Sequence, residues 1–150
     1  MPKFSLSNEY IRGLVDGEGC FTFCSIPTRN KEGQKFKLPA FVLRMHHRDH
    51  DLITAVRDAL KLRNKIYVCK PSTKDGYNRG NMSSIIGRDL GSLKNVIVPF
   101  FYKRLRGYKA IQFLNWIDRI GSDPVIPENY KIIYRLYNCG YWDKNQKFLD

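Results

Sequence analysis

The chain has 150 residues, 26 of them Lys or Arg against 14 Asp or Glu, a formal charge of +12 and a pI near 9.7. That length fits one domain with a sizeable core. No apolar run could span a bilayer, and the N-terminal MPKFSLSNEY lacks the apolar segment of a secretion signal, so the expectation is an intracellular protein with a polyanionic partner. A membrane surface would call for a basic amphipathic helix or a polybasic tail. Here the cations are spread along the whole chain, which favours nucleic acid over a membrane. The alternative is a solvated basic surface with no specific partner.

Ser7 is the predicted N-cap of a helix over residues 8–17, with Glu9 in its first turn and Tyr10, Ile11, Leu14 and Val15 in helical period. Residues 20–27, CFTFCSIP, read as a strand. A polar, basic hairpin loop with Gly33 follows over 28–37. Phe41, Leu43 and Met45 then alternate with Val42, Arg44 and His46 in a second strand. DHDLITAVRDAL (49–60) reads as a helix capped by Asp49, with Leu52, Ile53, Val56 and Leu60 as its buried stripe. Lys65–Lys70 is a third strand, Pro71–Gly76 a turn, and Asn78–Ile86 a fourth strand weakened by Gly80. Asp89–Val96 is a short helix ending before Pro99. Tyr102–Ile120 is a longer one with Lys109, Phe113, Trp116 and Ile120 on one face. A linker, GSDPVIP (121–127), leads to a final helix over 130–137.

The order is α-β-β-α-β-β-α with helices added at the C-terminus. It predicts an α+β fold in which helices cover one face of a four-stranded antiparallel sheet and leave the other free. One domain is expected over 1–150, with its core at about 8–120 and a C-terminal extension over 121–150. The four cysteines, Cys20, Cys24, Cys69 and Cys139, read as free thiols. Zinc is disfavoured: no C-x-x-C is paired with a spaced pair of histidines.

Strand alternation assigns the free face. Thr22 and Cys24 face out opposite Phe21 and Phe23, Arg44 and His46 opposite Phe41 and Leu43, Lys65 and Tyr67 opposite Ile66 and Val68. In the fourth strand the outward set is Arg79, Asn81 and Ser83. Arg and Asn can read base edges, whereas Cys and Thr suit thymine methyls. Arg29 in the basic loop, with Lys70 and Lys74, suits phosphates.

The segment IRGLVDGEGCF (11–21) carries the chemistry. Gly13 and Gly17 are four apart on one helical face, which leaves room for another backbone. A second copy of the same helix, related by a twofold axis, would fit there. It would bring two helix ends together, each with Asp16 and Glu18. Carboxylates and free helix-end carbonyls beside phosphate oxygens suit Mg²⁺, and Mn²⁺ or Ca²⁺ could occupy the same oxygen site. The alternative is an ordinary helix-to-strand turn in which the glycines form a C-cap. Lys109 heads the apolar stripe of Phe113 and Trp116 and is expected to point inward. There it could stabilise charge developing on a phosphate. Its alternative is a packed stem with the ammonium reaching solvent.

IRGLVDGEG resembles the LAGLIDADG motif, matching in kind at Ile11, Gly13, Leu14, Val15, Asp16, Glu18 and Gly19, and an aromatic strand follows it. FFYKRLRGYKAIQFLNW (100–116) resembles the family segment that carries an active-site lysine, with Lys109 in that position. The resemblance implies a homing endonuclease, an intron-encoded hydrolase in many cases, that cuts double-stranded DNA across the minor groove and leaves short 3′ overhangs. One motif per chain implies a homodimer acting on a long, near-palindromic target. It also implies that Glu18 is the metal-binding and catalytic acid, that the Gly17 carbonyl is a second ligand, and that Asp16 buttresses the helix pair at the dimer interface with Gly13 and Gly17. Three positions depart from the pattern. Arg12 replaces a small residue and is expected to point away from the tight interface. Met45, followed by His46 and His47, stands where relatives often carry a water-positioning glutamine. Arg104 stands where proline is common. A maturase or regulator of the same fold, binding RNA or DNA without cutting, is the alternative; it would be expected to lose Glu18, which this chain keeps.

Overall fold

The computed structural model describes residues 5–70, 74–76 and 80–148. Its first helix, α1 (Asn8–Glu18), begins at the expected cap: the Ser7 hydroxyl accepts the Tyr10 N–H at 3.1 Å. Gly19 ends it. A Cβ there would lie 2.6 Å from Val15 Cγ1 and 2.9 Å from Val15 O, so only glycine lets the chain turn this tightly into the sheet.

The sheet has four antiparallel strands, β1 (Gly19–Arg29), β2 (Lys35–His46), β3 (Ile66–Cys69) and β4 (Met82–Gly87), in the order β1-β2-β4-β3. The hairpin β1–β2 slips register between Ser25 and Arg29. Pro27 lies in that interval and has no N–H for the ladder. A 3₁₀ turn, His47–Asp49, leads into α2 (His50–Ala59). Asp49 makes no side-chain cap bond there. Instead His46 Nδ1 accepts the Arg48 N–H at 3.1 Å at the start of the 3₁₀ turn. Of the expected stripe, Ile53, Val56 and Leu60 are buried and Leu52 is half-buried. Residues 71–73 of the expected turn and 77–79 at the start of the expected fourth strand, Arg79 among them, lie outside the described residues.

Pro99 does not stop the third helical run. α3 (Leu90–Ser92) passes through a π-helical turn, Leu93–Ile97, into α4 (Val98–Phe101). The Val98 N–H reaches back five residues to Leu93 O. The widened turn needs no N–H from Pro99 and relieves the clash of its ring with the preceding turn. The next helix starts later than its periodicity predicts. Residues 102–107 leave helical geometry, with Lys103 at φ 57°, and α5 runs Tyr108–Ser122. In this stretch the Arg104 N–H donates to Phe101 O at 3.1 Å, a bond that proline would lack.

Helices cover one sheet face, as expected. Phe21 meets Phe41, Phe101, Phe113 and Trp116 with ring centroids 5.0–5.8 Å apart, the spacing at which aromatic rings attract edge to face. Ile53, Val56, Ile85, Leu93 and Ile97 continue this core without exposure. The C-terminal residues add a 3₁₀ turn, Glu128–Lys131, then α6 (Ile132–Asn138) and α7 (Tyr141–Lys144). Tyr102 meets Tyr137 edge to face and Trp142 at a tilt. The extension therefore packs on the core. Lys131 is bound within the fold: its ammonium donates to Ile120 O, Gly121 O and Asp123 O, closing the C-terminal end of α5. Arg135 pairs with Glu128 at 2.6 Å.

Candidate nucleic-acid interface and active site

The uncovered sheet face can be read in cross-strand rows. Thr22 pairs with Ala40, and Cys24 with Leu38. Cys20, Val42 and Ile86 form the next row. Arg44, Ser84 and Tyr67 form another, and His46, Met82 and Cys69 the last. The middle of the face is small and apolar. Its cations lie toward the ends: Arg29, Lys35 and Arg44 are exposed, and Lys65 Nζ lies 5.8 Å from the Tyr67 ring. Such a surface can meet base edges in its centre and phosphates at its rims. Arg29 is tied to its own hairpin, its Nη1 donating to Gly33 O at 2.6 Å.

One assigned residue moves to the other side. Ser83 pairs with Met45 and Val68 across the helix-covered face, is fully buried, and cannot contact DNA from there. Its Oγ lies 2.9 Å from His50 Nδ1 and 3.3 Å from His47 Nδ1. Ser84 takes the outward phase, between Arg44 and Tyr67, but is itself fully buried. Because strand side chains alternate, a shift of one residue exchanges the two faces. The sequence MSSIIG has two adjacent serines, and its own pattern does not say which phase points in. Asn81 is exposed just before β4; its carbonyl accepts the His47 N–H at 2.8 Å.

At the end of α1, Gly13 and Gly17 are exposed, and among the described residues a Cβ on either would meet nothing beyond its own helix backbone within 4 Å. This face of the helix is open in the single chain. Arg12 points to the opposite side, as its place in the motif predicts. It is 2% exposed, donates from Nε to Phe100 O and from Nη2 to Phe148 O, both at 3.0 Å, and lies over the Phe100 ring. The charge is tolerated because carbonyls, Glu9 Oε1 at 3.4 Å and an aromatic face surround it.

Asp16 is engaged within its own chain. Its carboxylate accepts the N–H groups of Arg106 and Gly107, each at 3.1 Å. It thereby binds the segment that starts α5, whose N-cap Gly107 offers no side chain. Glu18 is exposed on the last turn of α1. Lys109 stands in the first turn of α5 and is half-buried, between the inward and snorkelling expectations. Gln112, one turn on, accepts the Phe21 N–H at 2.9 Å, and Trp116 Nε1 donates to Thr22 O at 2.8 Å. Sequence reasoning did not single out Gln112; the only signal was its i+3 spacing from Lys109.

Among the described residues, no three His, Cys, Asp or Glu side chains group as a metal site. One chain offers a single carboxylate, Glu18, with the Gly17 carbonyl beside it at a helix end. Mg²⁺ is commonly held by one or two carboxylates with waters and substrate phosphates completing the shell. An exposed carboxylate beside a helix-end carbonyl is the oxygen donor type that a hard divalent ion takes.

The sequence model of the LAGLIDADG endonuclease family matches residues 11–120. A search of curated sequences finds no match. Among solved structures, the chain is similar to a K103A/K262A double mutant of I-SmaMI (18% identity, TM-score 0.61, covering 96% of this chain and 43% of that one). It is similar to the I-LtrWI LAGLIDADG homing endonuclease bound to target DNA (23%, TM-score 0.61, 91% and 46%). It is also similar to the homing endonuclease I-TnaI (21%, TM-score 0.56, 90% and 98%). The chain thus spans less than half of I-SmaMI and I-LtrWI and almost all of I-TnaI. With the family match covering α1 through α5 and an open antiparallel sheet beside the motif helix, the chain belongs to the LAGLIDADG endonuclease family.

Proposed function

We propose that two copies of this chain form a metal-dependent DNA endonuclease that cuts both strands of a long, near-palindromic site. The observation that carries this reading is the open glycine face of α1, which ends on the exposed Glu18 beside an uncovered sheet face with cationic rims. Two such helices seated on Gly13 and Gly17 bring two Glu18 carboxylates and two Gly17 carbonyls together, and each sheet then faces one half of the duplex. Similarity to structures about twice this length, I-SmaMI and I-LtrWI, supports two units per functional assembly.

Glu18 and the Gly17 carbonyl would hold Mg²⁺ at the scissile phosphate. A bound divalent ion there would lower the pKa of attacking water and neutralise charge on the phosphoryl oxygens. Lys109 brings a second positive charge to the same edge and stabilises the charge that develops in the transition state. Asp16 does not touch substrate; it fixes the start of α5, on which Lys109 stands. Thr22, Cys24, Arg44, His46 and Tyr67 face the bases, with Arg29 and Lys65 at the rims.

The test begins with a duplex selected by wild-type binding from a randomised library. Wild type is expected to cut it with Mg²⁺ and not with EDTA. Glu18→Gln should bind it equally and lose cleavage by a factor of at least about 10². Cutting by Glu18→Gln at the wild-type rate overturns the metal assignment. Specific binding with no cutting in any divalent ion would identify a binding protein of the same fold.

A further inference from the structure

We propose that Gln112 is a positioning residue that sets Lys109 against Glu18, an inference that rests on the reading of those two residues as the cutting pair. Two polar ties join the α1–β1 corner to the start of α5. One is the Asp16 carboxylate on the Arg106 and Gly107 N–H groups. The other is Gln112 Oε1 on the Phe21 N–H. Glu18 lies two residues after Asp16 and three before Phe21. Lys109 lies two residues after Gly107 and three before Gln112. The catalytic acid and the lysine therefore occupy matching places between the same two ties.

β1 is an edge strand, so β2 satisfies only one of its sides. Phe21 is 4% exposed, and water cannot readily serve its N–H. Gln112 supplies that acceptor from a helix position one turn beyond Lys109, where the two side chains are neighbours. Without it, Asp16 is the one hydrogen-bond tie left at the start of α5, and the remaining anchors, Phe113 and Trp116 against β1, lie beyond Lys109 along the helix. The acid and the ammonium would then lose their fixed separation, although DNA contacts on the sheet would not change. A misplacement of about 1 Å at a reacting centre can cost on the order of 10²-fold in rate.

The experiment uses the full chain and the duplex selected by wild type. Gln112→Leu removes the acceptor at similar volume, Gln112→Glu keeps an acceptor oxygen, and Trp116→Phe removes the other α5–β1 hydrogen bond one turn further from Lys109. Single-turnover cleavage at saturating protein, DNA affinity in Ca²⁺ and Tm are measured for each. Gln112→Leu should slow cleavage roughly tenfold or more with unchanged affinity, Gln112→Glu should restore most of the rate, and Trp116→Phe should lower Tm while cutting near the wild-type rate. Equal slowing in Gln112→Leu and Trp116→Phe, in proportion to lost Tm, would show a purely structural role and overturn the proposal. So would wild-type cleavage by Gln112→Leu. Wild-type cleavage by Glu18→Gln and Lys109→Met would instead overturn the reading beneath it.

Discussion

Ser83 and Ser84 are neighbours, both fully buried, with opposite surroundings. Ser83 Oγ serves two histidine rings, whereas Ser84 Oγ is buried with no hydrogen-bond partner among the described residues. Removing a satisfied hydroxyl leaves its partners wanting, while removing an orphaned one relieves a desolvation cost. Ser83→Ala is therefore expected to lose about 1–2 kcal/mol, and Ser84→Ala to be neutral or mildly stabilising. Urea unfolding of both variants checks this; equal losses would refute the contrast. Arg12 makes the same point about context. Alone in the sequence it is only a large residue at a place where the family has a small one. In the structure it is the cation that ties α1 to α4 and to Phe148.

Between elements, the contact that places the site is α1 against the start of α5. Asp16→Ala removes the acceptor for two backbone N–H groups and should cost about 1–2 kcal/mol, as loss of a helix cap does. Asp16→Asn keeps an acceptor oxygen and should cost less. Thermal unfolding distinguishes them, and an Asp16→Ala variant as stable as wild type would remove Asp16 from this role. The open face of α1 predicts a different outcome. Gly13→Leu adds a side chain into empty space and improves helix propensity by roughly 0.5–1 kcal/mol, so the single chain should keep or gain stability. The proposed dimer has no room for it, and light scattering should report a monomer. A Gly13→Leu variant that still dimerises would place the partner elsewhere. The helix breaks were less legible than the helices. The Pro99 rule predicted a stop, but a π turn let the chain continue. The apolar period across 102–107 predicted helix, but the carboxylate of Asp16, some 90 residues earlier, holds that segment outside it.

At the scale of the whole molecule, charge governs two responses. Asp89 is pushed up by burial but pulled down further by hydrogen bonds from Ser92 and Asn64, so its carboxyl lies below the ordinary value. Asp123 is likewise raised by burial and lowered more by the Val125 N–H and Arg119. Asp143 is lowered by the hydrogen bond from Lys103 and then from Tyr102. Depressed folded values mean that the unfolded chain binds protons first. The stability they confer is complete above the ordinary carboxylate pKa and is lost as pH falls through the folded values, below about pH 4. Melts at pH 5 and pH 3 should show this loss, and Asp89→Asn should reduce it. An unchanged Tm would contradict it. With a charge of +12, binding to the selected duplex should also weaken steeply with salt, by about 10³-fold between 50 and 200 mM if some six phosphates are met. A flat salt profile would argue against a phosphate-gripping rim. By itself, the sequence determined the Ser7 cap, the period of α1 and α2, the alternation of β1 and β2, and the family. All of these are written in residues within a turn or a strand of one another, or in composition. Only the tertiary structure decided which phase of β4 faces outward, where Arg12 goes, what Asp16 binds and that Gln112 ties α5 to β1. A strand's alternation has two equivalent phases until its neighbours pair with it, and a buried polar group's partner is chosen by proximity in the fold, across as many as 136 residues between Arg12 and Phe148.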